Sequence, residues 1–338
     1  MSVRSQFDLR ALLSRRNLAA AGLFLGAVAV LATRPGLLGH QVGDAVNGVE
    51  DARPIWLWSA GFSFLASLLA TSFAWRATLA LCGGKLSRTE AAARYGVGSL
   101  VNGVSPARIG EAVRLALFTS ALEGEDRVWR MGSAFGVIIA LRSLVFAVVV
   151  IAAAAVGALP LWPVLLLAGL AAIAACVAFA VRERVPRTHV AHLLDAFRGL
   201  ARTPRAAAAI VLRLGFSTCV RFAGAAAIAA ALGVHAPLAA AMIIVPTLDL
   251  AGLIPLSGNV GITSGAVAIA LQQHGVALPQ ALATGLAFHA VETGAGIAFG
   301  SAGVLLLVGS RRVLVLASAG AAACIAGAFC ATVLLPLA

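Results

Sequence analysis

The chain is predicted to be all-α, a polytopic transmembrane helix bundle with two re-entrant hairpins. Three observations predict it. Apolar runs near twenty residues long recur through all 338 residues. The mean hydropathy is +0.99, and only 11% of residues are charged, where a soluble domain carries about 25%. Two further segments are apolar but broken by Gly, Pro and polar residues. Lipid offers the backbone no hydrogen-bond partner, so a spanning segment must satisfy itself as a helix or within a closed barrel. The runs here are continuous and rich in Ala and Leu rather than alternating, which argues against a barrel.

The first apolar run, about Leu18–Thr33, follows Arg4, Arg10, Arg15 and Arg16, with no clear small-residue cleavage site. It reads as a retained helix rather than a removed signal. A net acidic loop follows over Arg34–Pro54, then span two over about Ile55–Leu81, with Trp56 and Trp58 at an interface. Spans three and four are about Met131–Leu159 and Leu161–Val181, joined by a Pro-Leu-Trp-Pro turn. An Arg-rich linker over residues 182–208 holds Val190, Leu193, Leu194, Phe197 and Leu200 at helical spacing, the pattern of an amphipathic surface helix. Spans five, six and seven are about Ala209–Leu232, Leu282–Val308 and Val313–Leu335. The linker divides one membrane domain into halves of about 1–181 and 209–338.

The formal charge of +12 belongs mostly to short loops. If the N-terminus is cytoplasmic, the loop after span two, the linker and Arg311-Arg312 all face inward, as the positive-inside rule requires. High Ala, Gly and Arg content points to a GC-rich bacterium, hence to its inner membrane. No basic patch has interleaved aromatics, so no nucleic-acid partner is expected; basic loops suit anionic lipid headgroups instead. Cys82, Cys176, Cys219, Cys324 and Cys330 form no CxxC pair and read as packing residues. No cofactor is expected, and no P-loop, GxSxG elbow or HExxH pair marks an enzyme.

The two broken segments are Tyr95–Ser120 and Pro237–His274. Each must return to the side it left. They are expected to be hairpins entering from opposite faces, although the second could equally be two full spans. Broken segments in matching positions of two halves point to a transport site. One contains Asn102, Pro106, Arg108, Gly110, Glu111 and Arg114; the other contains Pro255, Ser257, Gly258, Asn259, Gly261 and Ser264. Their mutual likeness is faint, and it suggests an inverted repeat.

These motifs resemble signatures of the lysylphosphatidylglycerol synthase transmembrane, or flippase-like, family. The first is similar to N-x-x-x-P-x-R-x-G-E followed by Arg. The second is similar to P-x-x-G-G-x-G-x-x-E, with Asn259 in place of a Gly and Ser264 in place of the Glu. Trp75-Arg76, Arg142 and the Arg-rich linker also fit the family layout. The resemblance implies a multi-span domain with re-entrant helices that moves lipids or lipid-linked intermediates between leaflets. Some relatives add a cytoplasmic domain that transfers an aminoacyl group from tRNA. The last apolar run ends close to Ala338, so that activity is not expected here.

Arg108, Glu111 and Arg114 stand at i, i+3 and i+6. An Arg–Glu pair lessens the penalty of placing charge at membrane depth, and the guanidinium fork suits a phosphate. Asn102 could donate to the same phosphate. The competing reading is a salt bridge that pins the hairpin together. In the second half, Asp249, His289 and Glu292 could form a proton-coupling site or complete a polar cavity with Arg142 and Arg221. Equally, Arg213 or Arg221 could simply neutralise the two acids. His289 and Glu292 form a lone i, i+3 pair, too little for a metal site. Gly294, Gly296, Gly300 and Gly303 suggest close helix packing. Ser257, Thr263 and Ser264 could hold a substrate's polar group or satisfy carbonyls of a broken helix.

The leading expectation is thus a lipid translocase for an anionic phospholipid or polyprenyl-phosphate lipid. Arg108, with Arg114 and Arg142, would hold the phosphate, and Glu111 would orient the Arg. The alternatives are a scaffold that recruits a cell-envelope glycosyltransferase through the linker, and a membrane-embedded lipid-modifying enzyme with Glu111 or Glu292 as base.

Overall fold

The computed structural model describes residues 52–104, 109–155, 194–251 and 260–308, with isolated positions between 157 and 172. Expected spans one, four and seven lie outside the described residues, as do Arg108, Ser257 and Asn259. Within the described residues every regular element is an α-helix, and we number these helices in chain order.

Four helices are long and apolar enough to cross a bilayer: α1 (Pro54–Leu81), α4 (Arg127–Ala155), α6 (Pro204–Ala231) and α9 (Leu278–Val308). At 28 to 31 residues each rises about 42–46 Å, ample for a hydrocarbon core of about 30 Å. They coincide with expected spans two, three, five and six. Their outward faces carry exposed Leu144, Val148, Ile151, Leu212 and Phe216, side chains that lipid solvates at no cost.

Both α1 and α6 begin on a proline, where the missing N–H removes no helical bond. Both end two residues before a glycine with positive φ, Gly83 (82°) and Gly233 (69°), which releases the chain into a turn. The Arg53 N–H donates to Ala231 O at 3.1 Å. This ties the start of α1 to the end of α6 and sets the two antiparallel. Gly224 of α6 opens space for the Phe64 ring, which meets Phe288 edge-on with centroids 5.0 Å apart.

The first broken segment forms α2 (Arg88–Val104) and α3 (Ile109–Thr119); the second forms α7 (Pro237–Ala251) and α8 (Val260–Gln272). Pro246 lies inside α7 and can give no hydrogen bond to the Met242 carbonyl, so the helix is weakened just before Asp249. The described part of the linker forms α5 (Asp195–Arg202). The Ala196 N–H donates to Ser133 Oγ of α4 at 2.9 Å, and Gly199 sits against Leu81.

Helix α2 starts with a reciprocal cap that the sequence reading did not include. The Ser87 N–H donates to Glu90 Oε2 at 2.9 Å, and the Glu90 N–H donates to Ser87 Oγ at 3.1 Å. These hydrogen bonds from Ser87 hold the Glu90 carboxyl below its ordinary range. The support is therefore present at neutral pH and is lost as pH falls through that lowered value. Ser87→Ala should cost at most about 1 kcal/mol, read as a small drop in midpoint on thermal unfolding in detergent.

The principal packing pairs are α1 with α6, α2 with α9, α8 with α9, α6 with α7, and α2 with α3. Of the four α9 glycines picked out in the sequence, only Gly300 and Gly303 serve close packing; a Cβ on Gly296 would make an ordinary contact with Ser99 O at 3.8 Å, and one on Gly294 would meet nothing within 4 Å. A Cβ on Gly300 would strike Leu100 Cβ and lie 2.5 Å from Gly96 O; one on Gly303 would lie 2.5 Å from Ala93 O. One core gathers Phe64, Ile228, Ile244, Leu271 and Phe288, and a second gathers Trp75, Leu79, Tyr95, Phe118 and Met131.

Candidate functional site

Two polar clusters lie within this apolar frame. The first is built by the α2–α3 hairpin. Gly98 and Gly110 face each other so closely that a Cβ on Gly110 would collide with Gly98 O and with the Asn102 side chain. That approach brings Arg114 of α3 under α2. Arg114 is 4% exposed. Its Nη1 donates to Glu111 Oε1 at 2.7 Å and its Nη2 to Ser99 Oγ at 3.2 Å. Its Cζ lies 3.8 Å from the Tyr95 ring centroid and 5.8 Å from that of Trp75, so the cation is also held over two aromatic faces.

Glu111 therefore orients Arg114, one turn ahead, and the Arg114 guanidinium is enclosed rather than presented to a ligand. The salt bridge itself lies within α3; the contacts of Arg114 that cross to α2 are those with Ser99 and Tyr95. Asn102 lies at the same junction, its Oδ1 buried and without a hydrogen bond among the described residues. The sequence reading paired Glu111 with Arg108; Arg108 lies outside the described residues.

The second cluster sits where α1, α4, α6, α7 and α9 meet. Arg221, near the middle of α6, has a side chain only 16% exposed. Its Nη1 donates to Asp249 Oδ1 of α7 at 2.6 Å, and its Nε to Glu292 Oε1 of α9 at 3.0 Å. One guanidinium fork thus joins three helices, a task Arg performs and Lys cannot. Its Cζ is 5.9 Å from the Phe288 ring centroid.

The cluster faces a cavity of about 120 Å³ lined by Ser67, Thr71, Tyr95, Arg142, Ser217 and Thr218 together with the Arg221 triad. Ser217 Oγ lies 2.8 Å from Ser67 Oγ and 2.7 Å from Thr71 Oγ1, a hydroxyl knot across the α1–α6 seam. Arg142, near the middle of α4, is exposed and makes no ion pair or hydrogen bond to any described residue. The cavity walls thus carry two cations and two acids. Arg221 with its two carboxylates is net negative, and Arg142 restores neutrality.

Of the residues picked out in the sequence, Arg142, Arg221, Asp249 and Glu292 come together; Asn102, Glu111 and Arg114 form the separate hairpin cluster. His289 is half-buried and does not line the cavity. Ser264, at the signature's Glu position, is 1% exposed. Its backbone comes within 2.8 Å of where a Cβ on Gly285 would stand. The close approach of α8 to α9 thus requires a residue without a side chain at Gly285, and Glu292 brings a carboxylate to the cavity. The hydroxyls Ser67, Thr71, Ser217 and Thr218 were missed. Their signal was i, i+4 spacing on one face, Ser67 with Thr71 and Ser217 with Arg221.

Four helices long and apolar enough to span, with charged groups gathered near their middles, define a multi-pass helical membrane protein with an internal polar cavity. The chain belongs to the family of the lysylphosphatidylglycerol synthase transmembrane region, whose sequence profile matches residues 18–300. It is thereby a membrane protein of a lipid-related family. No curated protein and no solved structure matches the chain.

Proposed function

We propose that the protein is a lipid translocase, moving an anionic phospholipid or a polyprenyl-phosphate lipid between the leaflets of a bacterial inner membrane. The observation that carries this reading is Arg142. A cation at mid-span with no described partner, beside a cavity whose other charges are already paired, is costly unless something uses it. A phosphate would supply the direct hydrogen-bonded partner that Arg142 lacks among the described residues. It also competes with Asp249 and Glu292 for the Arg221 fork. Displacing Asp249 would loosen α7 from α6, and this couples binding to movement of the hairpin.

The order of elements supports two related halves: a long helix, two shorter ones and a long helix over α1–α4, and the same order over α6–α9. The whole segment 237–274 is shorter than two spans of about 20 residues each with a turn between them would need. This favours a re-entrant hairpin over two full spans, with the N-terminus cytoplasmic by the charge of the loops. The reading assigns no bond-breaking step and no cofactor.

The test is leaflet exchange of fluorescent phosphatidylglycerol and a polyprenyl-phosphate analogue in proteoliposomes. Arg142→Ala should slow exchange at least about tenfold, the loss of one charge-assisted contact, while the protein stays monodisperse. An unchanged rate in a folded Arg142→Ala protein would remove this cation from substrate binding.

A further inference from the structure

The cavity is balanced in charge before any lipid enters it. Arg142 and Arg221 bring two cations, and Asp249 and Glu292 bring two carboxylates. The two acids are not held alike. The Glu292 carboxylate has one partner among the described residues, Arg221 Nε at 3.0 Å. Asp249 accepts from Arg221 Nη1 at 2.6 Å and has an interaction besides it. Glu292 is also the more open of the two, its side chain 36% exposed against 25%. Apart from Arg142, Arg221 and Asp249, the titratable group that lines the cavity with it is Tyr95 of α2, whose ring is covered by the Arg114 guanidinium at 3.8 Å. Helix α1 offers only the hydroxyls Ser67 and Thr71 there, α8 has no titratable residue, and His289 on α9 itself does not line the cavity.

A monoanionic phosphodiester held by Arg142 and the Arg221 fork sets three negative charges against two positive ones. Excess charge at mid-span is costly, and a carboxylate parted from its cation there neutralises rather than stays charged. We propose that Glu292 is the proton site of the translocase: it takes up a proton as the lipid phosphate displaces it from Arg221, and gives that proton up when the phosphate leaves and the bond from Arg221 Nε re-forms. This rests on the translocase reading above. Lipid anion and proton then cross together, and no net charge moves. A pH difference, and not the membrane potential, sets the direction of net lipid movement.

The test uses the full chain in phosphatidylcholine vesicles holding a trace of fluorescent phosphatidylglycerol, with the ratio of probe in the two leaflets read at steady state by dithionite quenching. With the lumen one pH unit more alkaline, wild type should gather the probe about tenfold in the inner leaflet, matching the proton ratio. A potassium-diffusion potential of about 100 mV should leave the ratio unchanged, where a lone anion would redistribute about fiftyfold. In Glu292→Gln, which keeps a carbonyl oxygen for Arg221 Nε but takes up no proton, the pH response should vanish and the ratio should follow the potential. Where that variant does not fold, the wild-type ratio alone decides the coupling. A wild-type ratio that ignores the pH step, or a pH response that persists in folded Glu292→Gln, would overturn the proton site and leave the translocase reading standing. Exchange of no lipid by folded wild type would remove both.

Discussion

Arg221→Ala is expected to destabilise the protein by about 3 kcal/mol and to abolish lipid exchange. The variant removes the one guanidinium that Asp249 and Glu292 share at 2.6 and 3.0 Å. Breaking a buried ion pair by removing one partner costs about 3–5 kcal/mol. The low end applies because the Glu292 side chain is 36% exposed and solvent screens part of the loss. The loss should appear as a lower midpoint when monodisperse protein is followed on heating in detergent. Adding Asp249→Asn and Glu292→Gln to Arg221→Ala should recover much of the midpoint, because it removes the two acids' charges as well. Exchange should remain absent in the triple variant, because the fork that a phosphate and the carboxylates compete for is gone. A triple variant that moved lipid at the wild-type rate would make the triad purely structural.

Gly300→Leu is expected to be more damaging to assembly and to affect function only through the fold. The α9–α2 contact has no space for a side chain at this position, since even a Cβ would meet Leu100 and the Gly96 backbone. Overpacking in a core costs about 1–3 kcal/mol where neighbours can shift. Backbone atoms of a packed helix shift poorly, so the cost here belongs at or above that range. Gly294→Leu is the control. Gly294 lies on the same helix, is exposed, and has nothing within 4 Å of a would-be Cβ. Size-exclusion profiles of membrane-extracted protein should show aggregation or loss for Gly300→Leu and a wild-type peak for Gly294→Leu. Equal profiles would contradict the assignment of Gly300 to the α2–α9 seam.

The sequence was most legible where physics is most averaged. Helices α1, α4, α6 and α9 appear where long apolar runs predicted them, because lipid leaves a continuous run little alternative to a helix. The α9 glycines were legible in part: Gly300 and Gly303 stand at close helix contacts, whereas Gly294 and Gly296 do not. The sites were less legible because a cluster is a tertiary fact. Arg221 stood in the sequence as one of two cations able to pair with Asp249 or Glu292; only the packing of α6 between α7 and α9 shows that it bridges both. The i, i+3 spacing of His289 and Glu292 suggested a shared role, yet His289 stands apart from the cavity. Glu111 had Arg108 and Arg114 at equal spacing on either side; the described fold gives it to Arg114. Ser67, Thr71 and Ser217 carry no charge and so left little trace in an apolar run, although they form the hydroxyl knot beside the cavity.

The measurement that bears most directly on the central claim is leaflet exchange by purified wild-type protein, comparing three lipids in otherwise identical vesicles. The account predicts exchange of phosphatidylglycerol or a polyprenyl phosphate well above protein-free vesicles, with phosphatidylcholine near that background. Exchange of no lipid by a folded, monodisperse protein, or equal exchange of all three, would contradict an anion-selective path through the Arg142–Arg221 cavity.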